Sequence, residues 1–319
     1  MNLFTFHFQD FAYSFLSILF EGIPFLLLGS LMSGAVDAFV PSEMMTRLLP
    51  RNSAPAILLS GLLGGIFPMC ECGSVVVIRR FIKKGLPVSC AVTYMLAAPI
   101  VNPVVALSTF AAFRGQSPWV MAILRLSLGF LLSVAVGFVT RQIPLEKLLQ
   151  KNIIDSLPQN RRAAFRISAM PGDDDGLNLD GEGTFRQKLQ RAMQAATSDF
   201  LDVAFFLVIG AAIASMFNTA INQSIIFPLA TSTVLSTLTM MVLAFGLAIC
   251  STSDAFIAAS FVSFPFAAKL AFLVFGAMFD IKLFFLYGLV FRRWFVLCLL
   301  VGLFVTIALI CIRLSVLNL

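Results

Sequence analysis

The sequence predicts an all-α polytopic membrane protein made of two homologous halves, related as an inverted repeat, with broken or re-entrant helices in each half. Three observations carry this reading. Of the 319 residues, 59% are hydrophobic and only 12% are charged, against about 25% charged in an ordinary soluble domain. The apolar residues fall into eight segments of membrane-spanning size, where about 20 residues suffice. Two of those segments break around polar runs that match each other, one in each half.

Taken in order, the first half offers segments 11–38, 54–83, 86–113 and 118–140. The first lacks the basic flank and small-residue cleavage site of a signal peptide and reads as an uncleaved anchor. Segment 54–83 is too long and too broken for one simple span. Pro68 and Gly73 interrupt it, and both disfavour a helix interior. Segment 86–113 carries Pro99 and Pro103 around Asn102. The second half offers 200–220, 226–260, 266–291 and 294–313. The chain therefore divides into a membrane repeat at 1–140, a cytoplasmic linker at 141–198, partly disordered, and a second membrane repeat at 199–319. Within the linker, the acidic run from Pro171 to Gly183 lacks the ligand spacing of a calcium loop and reads as flexible chain. Thr184 to Ser198 reads as an amphipathic lead-in to the second half.

The halves align by eye. Cys70 matches Cys250, Ser74 matches Asp254 and Phe81 matches Phe261, all at an offset of 180. Glu21 pairs with Asp202 and Gly29 with Gly210 at 181, and Pro87 with Pro265 and Asn102 with Asp280 at 178. Their relative direction follows from charge. If 54–83 returns to its own side, each half crosses three times and the halves are inverted. The basic residues Arg47, Arg51, Arg79, Arg80, Lys83, Lys84, Arg292 and Arg293 then share the cytoplasmic side with the linker, as the positive-inside tendency requires. If all eight segments cross, the halves are parallel, and Arg47, Arg51, Arg292 and Arg293 move outside.

Irregular backbone is tolerated in hydrocarbon only where protein or a water-filled cavity shelters it, and paired helix breaks point to a transporter's substrate site. Cys70 and Cys72 form the sharpest local feature. Thiolates are soft ligands, and an irregular backbone would let both sulfurs face one centre, with Cys250 as a third. Small residues packed at a helix break are the competing reading. Intramembrane ionisable groups are costly and usually face an interior. Here they are Glu21, Glu71, Asp202, Asp254, Lys269, Asp280, Lys282 and Arg125, the last of which could snorkel to a surface. Asp254 has no basic residue within ten positions, which makes it the better candidate for reversible protonation. Lys282 stands two positions from Asp280, a spacing that does not face on a helix. His7 is the single histidine, which excludes a histidine-rich metal site and argues against triad hydrolysis. There is no phosphate-binding G-x-x-x-x-G-K-[ST] loop, so the chain is not itself an ATP-driven pump. The net charge of +6 reflects loop orientation and does not imply nucleic acid.

At these residues the chain resembles the ArsP-type permease family, a group of predicted bacterial permeases. The resemblance rests on Glu21-Gly22-Ile23-Pro24-Phe25-Leu26-Leu27-Leu28-Gly29, Phe67-Pro68-Met69-Cys70-Glu71-Cys72-Gly73, Leu86-Pro87 and Ala97-Ala98-Pro99-Ile100-Val101-Asn102-Pro103. Cys250-Ser251-Thr252-Ser253-Asp254-Ala255-Phe256 and the Asp280 segment extend it through the second half. It covers both membrane halves and omits the linker. It implies that Cys70, Cys72, Cys250, Asn102, Asp254 and Asp280 belong to a shared core. Some members are implicated in export of trivalent organoarsenicals, and some are similar to one subunit of a two-component permease.

The expected function is that of a permease, not an enzyme, in the bacterial cytoplasmic membrane. It would move a small thiophilic solute (metal, metalloid or organoarsenical), by export, without a cofactor. Cys70, Glu71, Cys72, Cys250, Ser253 and Asn102 are the candidate substrate residues, Cys70 and Cys72 the candidate metal ligands, and Asp254 and Asp280 the candidate coupling residues. The expected partners are the lipid bilayer, a second membrane subunit and a second copy of the chain. Two rival readings are a non-transporting subunit of a complex and a membrane thiol redox protein using Cys70 and Cys72.

Overall fold

A computed structural model describes residues 8–39, 53–66, 69–155, 185–220 and 232–316. His7, Arg47, Arg51, Pro68, the acidic run 171–183 and the start of segment 226–260 lie outside the described residues. Those residues form fourteen helices and no strand. Five helical stretches are long and apolar enough to cross a membrane.

The straight segments form single helices: α1 (Phe8–Phe39), α6 (Pro118–Arg141), α9 (Phe185–Ala220) and α14 (Arg293–Val316). The four segments between them are each split in two. Residues 54–83 give α2 (Ser53–Ile66) and α3 (Glu71–Lys83), and 86–113 give α4 (Val88–Ala97) and α5 (Pro103–Ala112). In the second half α10 (Thr233–Leu247) precedes α11 (Asp254–Ser260), and α12 (Phe266–Met278) precedes α13 (Ile281–Val290). Both halves thus have the order straight, split, split, straight.

The match extends to single hydrogen bonds. Cys70 C=O accepts from Ser74 N–H at 3.1 Å, and Cys250 C=O accepts from Asp254 N–H at 3.0 Å. Asn102 C=O accepts from Ala106 N–H, and Asp280 C=O from Phe284 N–H, both at 2.9 Å. Pro87 and Pro265 stand before the first residues of α4 and α12. Each proline suits that place, because the missing N–H would have no helical partner.

α1 and α9 pack side by side and antiparallel. Gly22 lies against Leu207, Gly34 against Ala192, and Asn218 Nδ2–H donates to Ser14 Oγ at 3.1 Å. Around this pair the halves interlock: α3 of the first packs on α13 of the second, and α11 of the second packs on α5 of the first. The stretch Phe266–Val290 is the most enclosed of the five, with most of its apolar residues buried. That enclosure is what allows its extended break at Phe279 and Asp280.

The linker is partly built into the frame. α7 (Leu145–Leu148) and α8 (Lys151–Asp155) lie on the corner between α13 and α14. Gln150 N–H donates to Val290 C=O at 3.1 Å, Arg292 N–H donates to Leu148 C=O at 2.8 Å, and the Gln150 amide reaches Gly288 C=O at 2.9 Å. Leu148, Leu149 and Ile153 are buried. The lead-in expected at 184–198 is the first part of the continuous helix α9.

Candidate functional site

Two helix breaks meet through Glu71. This residue opens α3, in the first turn, where a negative charge complements the helix dipole. Close packing puts it there: a Cβ on Gly29 would stand 2.9 Å from Gly73 Cα, so α1 can approach the start of α3 only through glycine. Glu71 Oε1 lies 2.9 Å from Lys282 Nζ. Its Oε2 accepts from Ser251 Oγ at 3.3 Å and, weakly, from the Cys250 thiol at 3.9 Å.

Lys282 reaches this point from the first turn of α13. A Cβ on Gly210 would stand 2.7 Å from Lys282 Cα, so α9 too approaches through glycine. The ammonium donates to Ala248 C=O at 2.9 Å and lies 3.4 Å from Asp280 Oδ2. Ala248 ends α10 in the left-handed region at φ 49, which turns its carbonyl out of the helix. Asp280 is the N-cap of α13, with extended backbone, and its Oδ1 accepts from Leu283 N–H at 2.7 Å. Its position before the helix corrects the expectation that Asp280 and Lys282 cannot face each other.

A second ion pair sits beside the first. Arg125 of α6 is buried, with 1% of its surface exposed. It donates to Asp254 Oδ2 at 2.7 Å, Ser251 C=O at 3.0 Å and Thr109 Oγ1 at 2.8 Å. It is no snorkelling residue. Nor does Asp254 lack a cation, because α6 of the other half supplies one that sequence distance hides. Asp254 Oδ1 and Arg125 Nε are buried without a hydrogen-bond partner. Ser253 Oγ donates to Glu21 Oε1 of α1 at 2.9 Å.

The thiols stand on the wall of one narrow space of about 10 Å³, lined by Cys70, Cys72, Cys250, Glu71, Lys282 and Glu21 among others. Cys70 Sγ also accepts from Gly73 N–H at 3.3 Å, acting as the N-cap of α3. Among the described residues no three His, Cys, Asp or Glu side chains form a ligand set for an ion. Lys282 holds the place opposite Glu71 that a cation would take. Asn102 serves a local role, its Oδ1 accepting from Val104 N–H at 2.9 Å at the start of α5.

The structure therefore gathers Cys70, Glu71, Cys72, Cys250 and Asp280 around Lys282. It ties Asp254 to Arg125 and Ser253 to Glu21, and it leaves Asn102 as a cap. Two further charged candidates lie elsewhere. Asp202 pairs with Arg79 at 2.8 Å, and Lys269 donates to Gln116 Oε1 at 2.7 Å. The sequence marks Ser251 only as part of the Cys250–Asp254 run and not as a partner of Glu71, and Ala248 carries no sequence signal for its role.

Comparison with known proteins agrees with this frame. The family model described as a predicted permease, ArsP_1, matches residues 7–314. The chain is 38% identical over 288 residues to the UPF0718 protein YcgR of Bacillus subtilis, covering 90% of each chain. It is 32% identical over 269 residues to a Streptococcus mutans protein, covering 84% of this chain and 82% of the other. That protein is provisionally named a two-component membrane permease complex subunit. No solved structure matches the chain significantly.

Proposed function

The chain belongs to the ArsP_1 family of predicted permeases, and from that premise we propose that it exports a small thiophilic solute across the bacterial cytoplasmic membrane. One observation carries the reading. Glu71 bonds at once to Lys282, Ser251 and Cys250, so breaks from both halves form one buried polar cluster with three thiols on its wall. Soft sulfur ligands suit a metal, a metalloid or a trivalent organoarsenical as cargo. In this arrangement the space holds no more than a water-sized group, so loading requires the breaks to separate. Asp254 and Asp280 are our coupling residues. Asp254 Oδ1 is buried without a hydrogen bond and is open to a proton, while Asp280 Oδ2 faces the Lys282 ammonium at 3.4 Å, so its proton affinity follows the position of that cation.

We read the halves as inverted, each crossing three times and inserting one hairpin. The 24-residue helix α6 is about 36 Å long and separates two faces. Lys269, near the start of α12, bonds to Gln116 just before α6. The far end of α13 bonds to the linker just after α6. α12 and α13 together therefore run from one face to the other. α2 begins near the linker end of α6, where Ile57 approaches Gly137. α3 ends on that same face, where Arg79 and Lys83 share a cavity wall with Ile153 of α8. This supports a returning hairpin.

The test is flux by the purified chain alone in proteoliposomes, with a trivalent organoarsenical, arsenite and a divalent soft metal as cargoes. Cys-dependent flux of one of them is the expected result. A second reading, that the chain is one subunit of a two-component permease, draws on the name of the Streptococcus relative. Flux that appears only when a second membrane protein is added would favour it. Absence of flux together with reversible oxidation of Cys70 and Cys72 would favour the redox reading.

A further inference from the structure

A second cavity, of about 340 Å³, lies at the linker face, its Arg79 about two turns along α3 from Cys72. Its basic wall is Arg79 and Lys83, from the last turns of α3. Its apolar wall comes from elsewhere: Phe205 and Phe206 of α9, Leu289 of α13 and Ile153 of α8. Phe205 is 63% exposed on a membrane helix, so the mouth faces lipid. Arg79 donates to Asp202 at 2.8 Å through NH1, while its Nε–H is buried and makes no hydrogen bond. Asp202 is half exposed, with 47% of its side chain open, and can turn to solvent if another anion takes its place.

We propose that this cavity binds an anionic phospholipid, with its phosphate on Arg79 and Lys83 and the start of its acyl chains on the phenylalanines. A small-ligand pocket has about 300–1,000 Å³, enough here for a headgroup and glycerol. Basic pockets between membrane helices at the cytoplasmic surface are where anionic headgroups concentrate. A headgroup phosphate that displaces Asp202 would draw the Arg79 guanidinium toward the cavity and give its buried, unpartnered Nε–H an acceptor. Because its walls come from α3 of one half and α9 and α13 of the other, a bound lipid bridges the halves at the linker face. The inference concerns the bilayer and does not depend on the cargo.

The test is native mass spectrometry of the full chain in detergent, titrated with phosphatidylglycerol, phosphatidylcholine and inorganic phosphate in separate arms. Phosphatidylglycerol should bind at least tenfold more tightly than phosphatidylcholine. Arg79→Gln/Lys83→Gln should remove that preference. Leu289→Trp, which keeps both cations and fills the cavity from α13, should remove it too. If the double variant does not fold, Leu289→Trp decides alone. Equal binding of the two lipids would overturn the proposal, as would a preference that survives Leu289→Trp. Competition by millimolar phosphate to the full extent would assign the site to free phosphate and overturn the lipid.

Discussion

The Arg125–Asp254 pair offers a quantitative test of how the halves hold together. Both side chains are almost wholly buried, at 1% and 4% exposure, and their charged atoms are 2.7 Å apart. Removing one member strands a charge in a dry interior, which costs about 3–5 kcal/mol. Replacing both with apolar side chains removes two desolvation penalties along with the attraction and is often close to neutral. Arg125→Met and Asp254→Leu should therefore each lower the thermal midpoint in detergent severely, while the double variant recovers most of the loss. The coupling energy should exceed about 2 kcal/mol, well above the roughly 0.5 kcal/mol scatter of independent sites. All three variants should lose flux. The Arg79–Asp202 pair, at 20% and 47% exposure, is the internal comparison. Solvent screening limits such a pair to about 1 kcal/mol. Additive single effects at Arg125 and Asp254, or a coupling no larger than that of the exposed pair, would refute the reasoning.

Three further outcomes follow from the geometry. Cys70→Ser should leave stability almost unchanged, because serine is a good N-cap for the Gly73 N–H that the sulfur now accepts; Cys72→Ser should abolish flux of a soft cargo, and full flux in the double serine variant would remove the thiols from the mechanism. Gly29→Ala and Gly210→Ala should each cost about 1–3 kcal/mol by overpacking against backbone at 2.9 and 2.7 Å, whereas Gly115→Ala, with nothing within 4 Å, should cost little; thermal midpoints of the three variants check this. A reporter fused after Leu319 should read outside and one in the linker inside, and a cytoplasmic signal at Leu319 would exclude inverted halves.

Helices and breaks were legible because each rests on local chemistry. Apolar length marked the spans, Pro99 and Pro103 marked an interruption, and the offset of 178 paired two N-caps, Asn102 and Asp280. Gly73 lies inside α3, after the break, and the offset of 180 pairs the N-cap Cys70 with Cys250, three residues before the N-cap Ser253 of α11. The site was legible as a set of residue types. Its pairings were not, since they depend on which helix of one half meets which break of the other. Asp254 looked isolated from cations because Arg125 is distant in sequence. Glu21 and Asp202 matched in alignment, yet Glu21 bonds to Ser253 at a break while Asp202 bonds to Arg79 at a helix end. Ala248 gave no sign of its left-handed turn, a conformation usually taken by glycine, and so none of its carbonyl's bond to Lys282. The buried part of the linker escaped notice because Leu148, Leu149 and Ile153 are too few to register as an apolar segment.

That docked stretch changes what the covalent connection between the halves is for. Residues 145–155 belong by sequence to the linker and follow directly on α6 of the first half, yet their backbone bonds and buried leucines belong to the corner between α13 and α14. The start of the linker is thus a clasp that the first half extends to the second. A chain cut between Gly172 and Gly183 retains the clasp, the α1–α9 contact and both ion pairs. Two polypeptides made separately, 1–172 and 183–319, should find each other in the bilayer and co-purify, and Leu149→Asp should weaken that reassembly. In this protein the peptide link would raise the local concentration of the two partners, and the clasp would decide how they fit.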